Sequence, residues 1–515
     1  MNANETIRAG VREWFGLAVL ALPTLLVSMD LFVMLLAIPR LSTALHVSSV
    51  QQLWIIDMYG FMVAGFLITM GTLGDRIGRR KLLLIGGAAF GAASLLAAFS
   101  RSPAMLIAAR ALLGIAGAAM TPSTLALIST LFQDAKQRAT AFGIWAGCFT
   151  VGAIIGPLLG GVLLEHFWWG SVFLIGVPAM VLLLIFGPWV LPEFSNPNAS
   201  KLDLTSVSLS LVAILSTVYG LKELARNGWE VVSALVMVLG LIVGVAFIQR
   251  ERRLQDPLID VRLFKNRSFS TTLGSMLLYT TLSGTTMVYV AQHLQMVEAL
   301  TPLRAGIAMI PGMISATVGF QLAPLLARRI RPAYVIGGGM VLTVIGLFII
   351  AMVSSTHGLI PLVVGFSVAS FGGAPLVTLG INLVVGSVPP ERSGSAAALA
   401  QTSNELGISL GVATLGSLAA VVYRYQLSAH LPASLPQGTM ESARESIYGA
   451  AAVAAQLPGP EGTPLLDSAR AAFTGGVNVI AGLSGVLFFA AALLVLTQLR
   501  QVPPVGSIEG GEAGK

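Results

Sequence analysis

The chain has 515 residues, of which 55% are hydrophobic and only 10% are charged, whereas an average soluble protein carries about 25% charged residues. This composition excludes an ordinary soluble protein, because apolar runs of about 20 residues, the length that crosses a bilayer, follow one another along the chain. The net charge of +7 does not favour nucleic-acid binding, because the Lys and Arg residues lie in the short breaks between these runs, where anionic lipids attract them.

Two further features concern covalent chemistry and processing. The single cysteine, Cys148, excludes a disulfide or a thiolate metal cluster within one chain. Residues 1–14 are polar, and no short apolar core with a cleavage site follows them. We therefore expect the first apolar run to be kept as a transmembrane helix.

The apolar runs predict an all-α, polytopic membrane protein with 14 transmembrane helices. The predicted spans lie near 15–38, 51–73, 82–100, 104–131, 139–163, 168–190, 205–224, 230–249, 268–295, 303–326, 332–353, 357–388, 393–423 and 472–499. With the N-terminus in the cytoplasm, most of the 30 Lys and Arg residues fall on the cytoplasmic side, as the positive-inside rule requires. We therefore expect a multi-pass protein of the cell (inner) membrane with both termini cytoplasmic.

The predicted spans fall into regions along the chain. Residues 1–190 are expected to form an N-terminal six-helix half, residues 191–267 two inserted helices and a basic cytoplasmic loop, and residues 268–499 a C-terminal six-helix half. The last region contains a long outer loop at 425–470, whose middle can form an amphipathic helix. Residues 500–515 are predicted to be a disordered tail.

A faint internal repeat favours two equivalent halves. The segment 138–156 resembles the segment 392–411, since each opens with Arg at a cytoplasmic edge and ends in G-x-x-x-G. Chance similarity between helices rich in Gly and Ala is the alternative explanation. The repeat therefore supports the division but does not decide it.

The loop after the second span, at 71–81, reads GTLGDRIGRRK. Its glycines allow two helix ends to approach, and its charged side chains can form charge-assisted bonds with each other or with a neighbouring helix end. We expect this segment to act as a conformational gate. The residues assigned to the gate are Gly71, Asp75, Arg76, Gly78, Arg79 and Arg80.

A second motif occupies the fifth span, where residues 152–161 read GAIIGPLLGG. Small residues allow close helix packing, and the proline lets the span bend because it removes a backbone hydrogen bond. The alternative is an ordinary packing helix. The motif residues are Gly152, Gly156, Pro157, Gly160 and Gly161.

These motifs resemble those of the major facilitator superfamily. The segment 71–81 is similar to its signature loop, residues 152–161 to its antiporter motif, and residues 110–114 (RALLG) to its fourth-span motif, although Leu113 replaces the usual Gln. The fourteen predicted spans and the segment 51–66 (QQLWIIDMYGFMVAGF) narrow the resemblance to the fourteen-helix drug:proton antiporters, especially the quaternary ammonium branch. The resemblance implies alternating access and a coupling role for buried Arg110.

Three acidic residues, Asp30, Asp57 and Glu405, stand well inside apolar runs. A charge near the bilayer centre costs at least about 2.5–3.5 kcal/mol on insertion scales, so such residues usually serve a function. A low-dielectric environment favours the protonated acid, and a site that holds either a proton or a cation is the minimum that exchange requires. Since these acids also match acidic positions of the resembling branch, we expect them to bind protons and substrate. The alternative is that an acid only pairs two helices, with Arg110 as its partner.

Two departures from that branch concern charge. Ala400 and Gln401 stand where close relatives carry a Glu pair, and Ala316 replaces an acid of the tenth span. The resemblance therefore implies a less anionic cavity, suited mainly to monovalent cations. Bulky side chains near the acids are possible cavity contacts through cation–π and polarisable interactions, with ordinary core packing as the alternative: Met34, Trp54, Tyr59 and Phe61.

The function favoured by these observations is proton-coupled multidrug efflux of lipophilic cations such as quaternary ammonium compounds and dyes. The expected partners are these cations, protons and membrane lipids, and the chain is expected to be monomeric. No metal site or other cofactor is expected, because the 5 histidines are scattered without ligand spacing and no P-loop for ATP is present. The alternatives are an exporter of a neutral or anionic antibiotic or lipid and, from another class, a polytopic membrane enzyme.

Overall fold

The structure is a computed structural model that describes residues 9–193, 203–227, 230–254, 257, 261–386, 393–429, 437–457 and 462–503. The regular structure of these residues is helical. The helices are α1 (Val11–Ala44), α2 (Ser49–Ile77), α3 (Arg79–Ala98), α4 (Pro103–Leu131), α5 (Ala135–His166), α6 (Ser171–Leu174), α7 (Gly176–Val190), α8 (Leu204–Asn227), α9 (Val231–Glu251), a 3-10 helix (Val261–Lys265), α10 (Arg267–Met296), α11 (Pro302–Ala327), α12 (Pro332–Ala351), α13 (Leu359–Gly386), α14 (Ser393–Ser428), α15 (Gln437–Glu445), α16 (Ile447–Ala454) and α17 (Gly462–Gln498).

The lengths and compositions of these helices are those of a multi-pass membrane protein. Among the described residues, 10 helices are long and apolar enough to cross a bilayer, and shorter apolar stretches lie at Met58–Leu67, Ile155–His166 and Leu204–Thr217. The predicted span at 268–295 corresponds to α10, which is not one of the 10 because hydroxyl side chains interrupt its apolar sequence. The all-helical class is confirmed, and the count of fourteen spans stays a prediction.

Contacts between helices divide the chain into two compact units. The first comprises Met1–Ile214 and Val243–Leu258, and the second comprises Leu215–Ile242 and Ile259–Lys515. Residues of the two predicted inserted helices, α8 and α9, are therefore shared between the units. The predicted division into two six-helix halves stays a prediction.

Within each unit the helices pair in the same order. In the first unit, α1 packs on α5, α2 on α4, and α3 on both α4 and α7. In the second unit, α10 packs on α14, α11 on α13, and α12 on both α13 and α17. The segments that the internal repeat compares, 138–156 and 392–411, lie on α5 and α14, which hold corresponding places in this order.

Small residues bring the paired helices close together. A Cβ atom added at Gly152 of α5 would lie 2.6 Å from the carbonyl oxygen of Leu25 on α1, and one added at Gly407 of α14 would lie 2.8 Å from that of Leu277 on α10. Both glycines also face a hydroxyl residue three positions later on the partner helix, Ser28 or Thr280. In lipid, where the hydrophobic effect does not drive helix association, such close packing stabilises helix pairs.

The predicted outer loop at 425–470 contains more helix than expected. α14 continues to Ser428 and α17 begins at Gly462, while the predicted amphipathic helix is divided into α15 and α16. The division lies at Ser446, whose side chain accepts a hydrogen bond from the N–H of Gly449 and so caps α16. Tyr423 of α14 donates its hydroxyl proton to the carbonyl of Ala443 at 2.9 Å, which anchors α15. Most of the predicted tail at 500–515 lies outside the described residues.

The contact between α12 and α13 gives a test of this packing. In Gly372→Ala the added methyl group would lie 2.5 Å from the backbone oxygen of Gly339, so the two helices must separate. We expect the free energy of unfolding to fall by about 1–3 kcal/mol, the usual cost of overpacking, as measured by thermal unfolding in detergent.

Gly338→Ala on α12 is the matched control, because no atom lies within 4 Å of its added methyl group. Alanine also has the higher helix propensity, so this variant should be as stable as the wild type or slightly more stable. Equal melting temperatures for the two variants would contradict the proposed backbone contact.

Candidate functional site

The centre of the candidate site is an ion pair between α1 and α4. A guanidinium nitrogen of Arg110 lies 2.5 Å from a carboxylate oxygen of Asp30, and the two side chains are 1% and 13% exposed. Burying either charge alone costs several kcal/mol, and good pairing geometry offsets part of that cost. The structure therefore brings together two of the predicted site residues, and it realises the helix-pairing contact that was the alternative role of Asp30.

The same arginine also contacts α2. Its Nε donates a hydrogen bond to the carbonyl of Ile55 at 3.1 Å, and its guanidinium carbon lies 4.8 Å from the centre of the Tyr59 ring. Close approach of the two helices permits this contact, because a Cβ atom added at Gly114 would lie only 2.5 Å from the carbonyl oxygen of Tyr59. Arg110 thus joins three helices through a carboxylate, a carbonyl and an aromatic ring.

Most of the side chains that are predicted to contact a substrate are buried. Met34, Tyr59 and Phe61 are 3%, 1% and 0% exposed, while Trp54 is half-buried and packs edge-to-face on Phe61 at 6.2 Å between ring centres. The packing of the first unit accounts for these four side chains. Their contact with a substrate stays a prediction.

The other two predicted acids are placed only by their backbones. Asp57 lies on α2, two residues after the carbonyl that accepts from Arg110, and Glu405 lies on α14, two residues before Gly407. The side chains of both acids, and that of Asp75 in the gate, lie outside the part of the structure that is described. Their roles in binding stay predictions.

The antiporter motif faces the helix that carries Asp30. Added Cβ atoms would lie 2.6 Å from the carbonyl of Leu25 at Gly152 and 2.9 Å from Val33 at Gly160. The remaining motif residues, Gly156, Pro157 and Gly161, are buried in α5. The motif therefore provides the small surface against which α1 packs.

The signature loop holds the end of α7. Gly78 separates α2 from α3 with a φ of +107°, a conformation that side chains other than glycine rarely adopt. Arg80 donates from Nη1 to the carbonyls of Pro188 at 3.1 Å and Leu191 at 3.0 Å. These carbonyls belong to the last turn of α7 and the residue that caps it, where a cation is favoured.

Glu193 completes this contact and was not found by sequence reasoning. Its carboxylate accepts the backbone N–H of Arg80 at 3.2 Å and lies 3.4 Å from the Nε of the same residue. The available signal was an acid placed just after the sixth span, on the same side of the membrane as the basic loop. The signature loop therefore contacts a residue 113 positions away in sequence.

The other gate residues show different environments. A Cβ atom added at Gly74 would lie 3.0 Å from the Cδ of Arg79, so that arginine folds back over α2. Arg76 is exposed, and Gly71 has open space around its Cα.

Comparison with known proteins agrees with this arrangement. The family model described as Major Facilitator Superfamily matches residues 20–412. The chain belongs to the major facilitator superfamily. It is a multi-pass membrane transporter and not an enzyme, and the sequence prediction of this superfamily is confirmed.

Individual relatives extend over nearly the whole chain. The multidrug efflux pump LfrA of Mycolicibacterium smegmatis is 41% identical over 498 residues, which cover 96% of this chain and 98% of LfrA. The methyl viologen resistance protein SmvA of Salmonella typhimurium is 36% identical over 491 residues, which cover 94% of this chain and 97% of SmvA. These relatives indicate export of small molecules.

A solved structure supports the fold. The crystal structure of a bacterial homologue of the human lysosomal transporter Spinster has a TM-score of 0.68 and 18% sequence identity, and the match covers 96% of this chain and 98% of that one. At this identity the likeness concerns the fold of this superfamily transporter and not its substrate.

The Gly78 position tests the gate. In Gly78→Ala the new methyl group would lie 2.4 Å from a carboxylate oxygen of Glu193, and the left-handed backbone conformation would add strain of about 1–3 kcal/mol. We expect the transport rate to fall several-fold while the affinity for substrate changes little, since the gate lies away from Asp30. Binding and turnover measured on the same preparation give this comparison.

Gly338→Ala is its control, because Gly338 lies on α12 outside the loop and nothing lies within 4 Å of its added methyl group. This variant should transport at the wild-type rate. A loss of substrate affinity in Gly78→Ala without a change in turnover would contradict the assignment of the loop as a gate.

Proposed function

We propose that the protein is a proton-coupled antiporter of the inner membrane that exports lipophilic, mainly monovalent cations by alternating access. The observation that carries the proposal is the buried ion pair of Asp30 and Arg110, because charged side chains inside transmembrane helices usually serve a function. The names of LfrA, a multidrug efflux pump, and SmvA, a resistance protein, support efflux as the direction of transport. The narrower assignment to the quaternary ammonium branch belongs to the same proposal.

Protonation of Asp30 changes the contacts of Arg110. The carboxylate loses its negative charge, so the charge-assisted bond between α1 and α4 weakens, and the arginine depends on the Ile55 carbonyl and the Tyr59 ring. A hydrogen bond to a charged group contributes about 1.5–3 kcal/mol, and about 1.4 kcal/mol shifts a conformational equilibrium tenfold. Protonation at this one site therefore biases the transporter between two conformations if only one of them keeps the pair.

The proposed cycle uses the acids in turn. On the cytoplasmic side, a deprotonated acid, Asp57 or Glu405, attracts a lipophilic cation, whose charge offsets the cost of a carboxylate in the membrane. On the outer side, protons neutralise the acids, and the cation leaves. Both acids lie on long helices, α2 and α14, and inside apolar runs of the sequence, which supports these roles.

The Asp30→Asn variant tests the coupling. An amide keeps the shape of the side chain but neither carries a charge nor exchanges a proton, so Arg110 loses its counter-ion. We expect substrate binding to release fewer protons from the purified variant than from the wild type. We expect pH-driven ethidium efflux from proteoliposomes to fall roughly a hundredfold or more, which is the usual effect of losing a proton-transfer group.

Asp203→Asn is the matched control, because Asp203 also pairs with an arginine. Its carboxylate lies 2.9 Å from Arg250, and the two side chains are 20% and 38% exposed at the ends of α8 and α9. This variant should keep wild-type efflux and proton release. Full pH-driven efflux by a folded Asp30→Asn variant would remove Asp30 from the mechanism, and wild-type efflux that ignores a protonophore would overturn proton coupling.

The proposed preference for monovalent over divalent cations rests on three positions that carry no acidic side chain. Ala400 is 1% exposed, while Ala316 and Gln401 are half-buried. A second cationic group in the membrane needs its own carboxylate, because leaving it unpaired costs several kcal/mol, or about a hundredfold or more in affinity. Monovalent export is therefore favoured.

Dication export is the second candidate, since SmvA is named for resistance to methyl viologen, which is a dication. Efflux rates for matched mono- and divalent compounds separate the two candidates. We expect the wild type to prefer the monovalent member about a hundredfold, and Gln401→Glu to improve dication export. Equal export of both compounds by the wild type would overturn the monovalent preference.

An exporter of a neutral or anionic antibiotic or lipid is the remaining alternative within transport. Such a substrate has no use for a carboxylate in its binding site, so its export would not require Asp57. Efflux of a neutral compound by Asp57→Asn at the wild-type rate, together with failure to export ethidium by the wild type, would favour this alternative.

A further inference from the structure

A small cavity lies beside Asp30. It is formed where α1, α3 and the α6–α7 segment meet, and its volume is about 20 Å³. Residues that line it include Asp30, Phe90, Ser94, Val172, Phe173 and Gly176. All of them belong to the first compact unit.

The cavity has the size and chemistry of a water site. On this measure of volume, roughly 10–15 Å³ is enough to hold one water molecule, provided that polar groups bind it. The carboxylate of Asp30 and the hydroxyl of Ser94 supply such groups, and Ser94 is only 2% exposed. The Ser94 hydroxyl is directed at the cavity wall, since its Oγ would lie 3.3 Å from a Cβ atom added at Gly176.

The helix beside the cavity lacks one backbone hydrogen bond at the same level. Pro178 has no N–H to donate to the carbonyl of Leu174, while Ile175, between α6 and α7, keeps helical dihedral angles of φ −55° and ψ −36°. Phe173 and Gly176 of this segment line the cavity.

The position of the cavity indicates towards which face of the membrane it extends from Asp30. With the N-terminus in the cytoplasm, α3 ends at the outer surface at Ala98, and Ser94 lies about 6 Å before that end, at 1.5 Å per residue. α6 begins on the same outer side, at Ser171. The cavity therefore lies between Asp30 and the outer face of the membrane.

We infer that this cavity holds a proton-relaying water through which Asp30 takes up its proton from the outer side, with Ser94 as the positioning residue. The inference rests on the proposed function and adds the route by which a proton reaches Asp30. The water gives a proton to the Asp30 carboxylate and receives one from the next water towards the outside, so no charge or atom is lost. The Ser94 hydroxyl both donates and accepts, and it holds the water in line.

The volume of the cavity separates the two ligands of the transporter. Drug-sized molecules occupy pockets of about 300–1,000 Å³, and a space of about 20 Å³ admits none of them. A cation bound elsewhere in the transporter therefore leaves the proposed proton route to Asp30 open.

Two variants test the route. Ser94→Ala removes the hydroxyl, and Gly176→Ala places a methyl group in ordinary to slightly tight contact with Ser94 and Phe90, at 3.3 and 3.4 Å, which fills the cavity. In a stopped-flow jump to acidic pH, we expect both variants to slow proton uptake by substrate-loaded protein roughly tenfold. Substrate affinity at high pH should stay unchanged.

The controls are a buried serine and a half-buried glycine outside the cavity. The hydroxyl of Ser123 donates to the carbonyl of Ala119 at 2.7 Å within α4, and a Cβ atom added at Gly91 meets Met180 at an ordinary 3.5 Å between α3 and α7. Ser123→Ala and Gly91→Ala should take up protons at the wild-type rate.

A second measurement detects the water without using transport. X-ray footprinting generates hydroxyl radicals from bound water, which oxidise adjacent side chains. Met29 and Phe173, which line the cavity and are 3% and 4% exposed, should be labelled in the wild type and protected in Gly176→Ala. Met120, which is 0% exposed and lies elsewhere, should not be labelled in either.

These measurements distinguish the route from the function on which it rests. Unlabelled Met29 and Phe173, or unchanged proton uptake in Gly176→Ala, would overturn the route and leave proton coupling intact. If the wild type takes up no proton with substrate release, the proposed coupling fails and the route fails with it.

Discussion

The cost of burying charge in a membrane organises the first unit of this transporter. Arg110 is held inside the protein at 1% exposure, and its charge is compensated by a carboxylate on α1, a carbonyl on α2 and an aromatic ring on the same helix. Removal of one partner of a buried pair is strongly destabilising, since the other charge remains without compensation. The positions of α1, α2 and α4 therefore depend on one another through a single guanidinium group.

Close packing of helices makes this compensation possible. Gly114 brings α2 within reach of α4 beside Arg110, while the antiporter motif brings α5 against α1 beside Asp30. The corresponding contact in the second unit joins α14 to α10 through Gly407, with a leucine carbonyl and a hydroxyl residue at the same spacing. A shared pairing order of this kind is expected of transporters built from repeats, and it fits the resemblance between 138–156 and 392–411. The two contacts differ in the acid beside them. Asp30, near the α1–α5 contact, has a partner on α4, whereas Glu405, near Gly407, is described only by its backbone.

The first unit also shows how local breaks in helices serve the site. Gly78 allows the chain to turn between α2 and α3, and the turn directs Arg80 towards the carbonyls at the end of α7. Towards the other end of the α6–α7 segment, Pro178 removes one backbone hydrogen bond from the helix beside the cavity at Asp30. One span thus contacts the signature loop near one end and the ion-pair region nearer the other.

The sequence by itself determined the membrane class, the all-helical fold, the superfamily motifs and the presence of Asp30, Asp57, Glu405 and Arg110 within apolar runs. These properties depend on composition and on residues close together along the chain, so they can be read without a fold. Only the tertiary structure decided that Asp30 and Arg110, 80 positions apart, are partners, that Glu193 contacts Arg80, and that Ser94 shares a cavity with Asp30. The physical reason is that such contacts depend on how each helix is rotated and which helix it packs against. Hydrophobicity in lipid does not fix that rotation, because the lipid is as apolar as the side chains, and the close glycine contacts that do fix it join residues far apart in the chain.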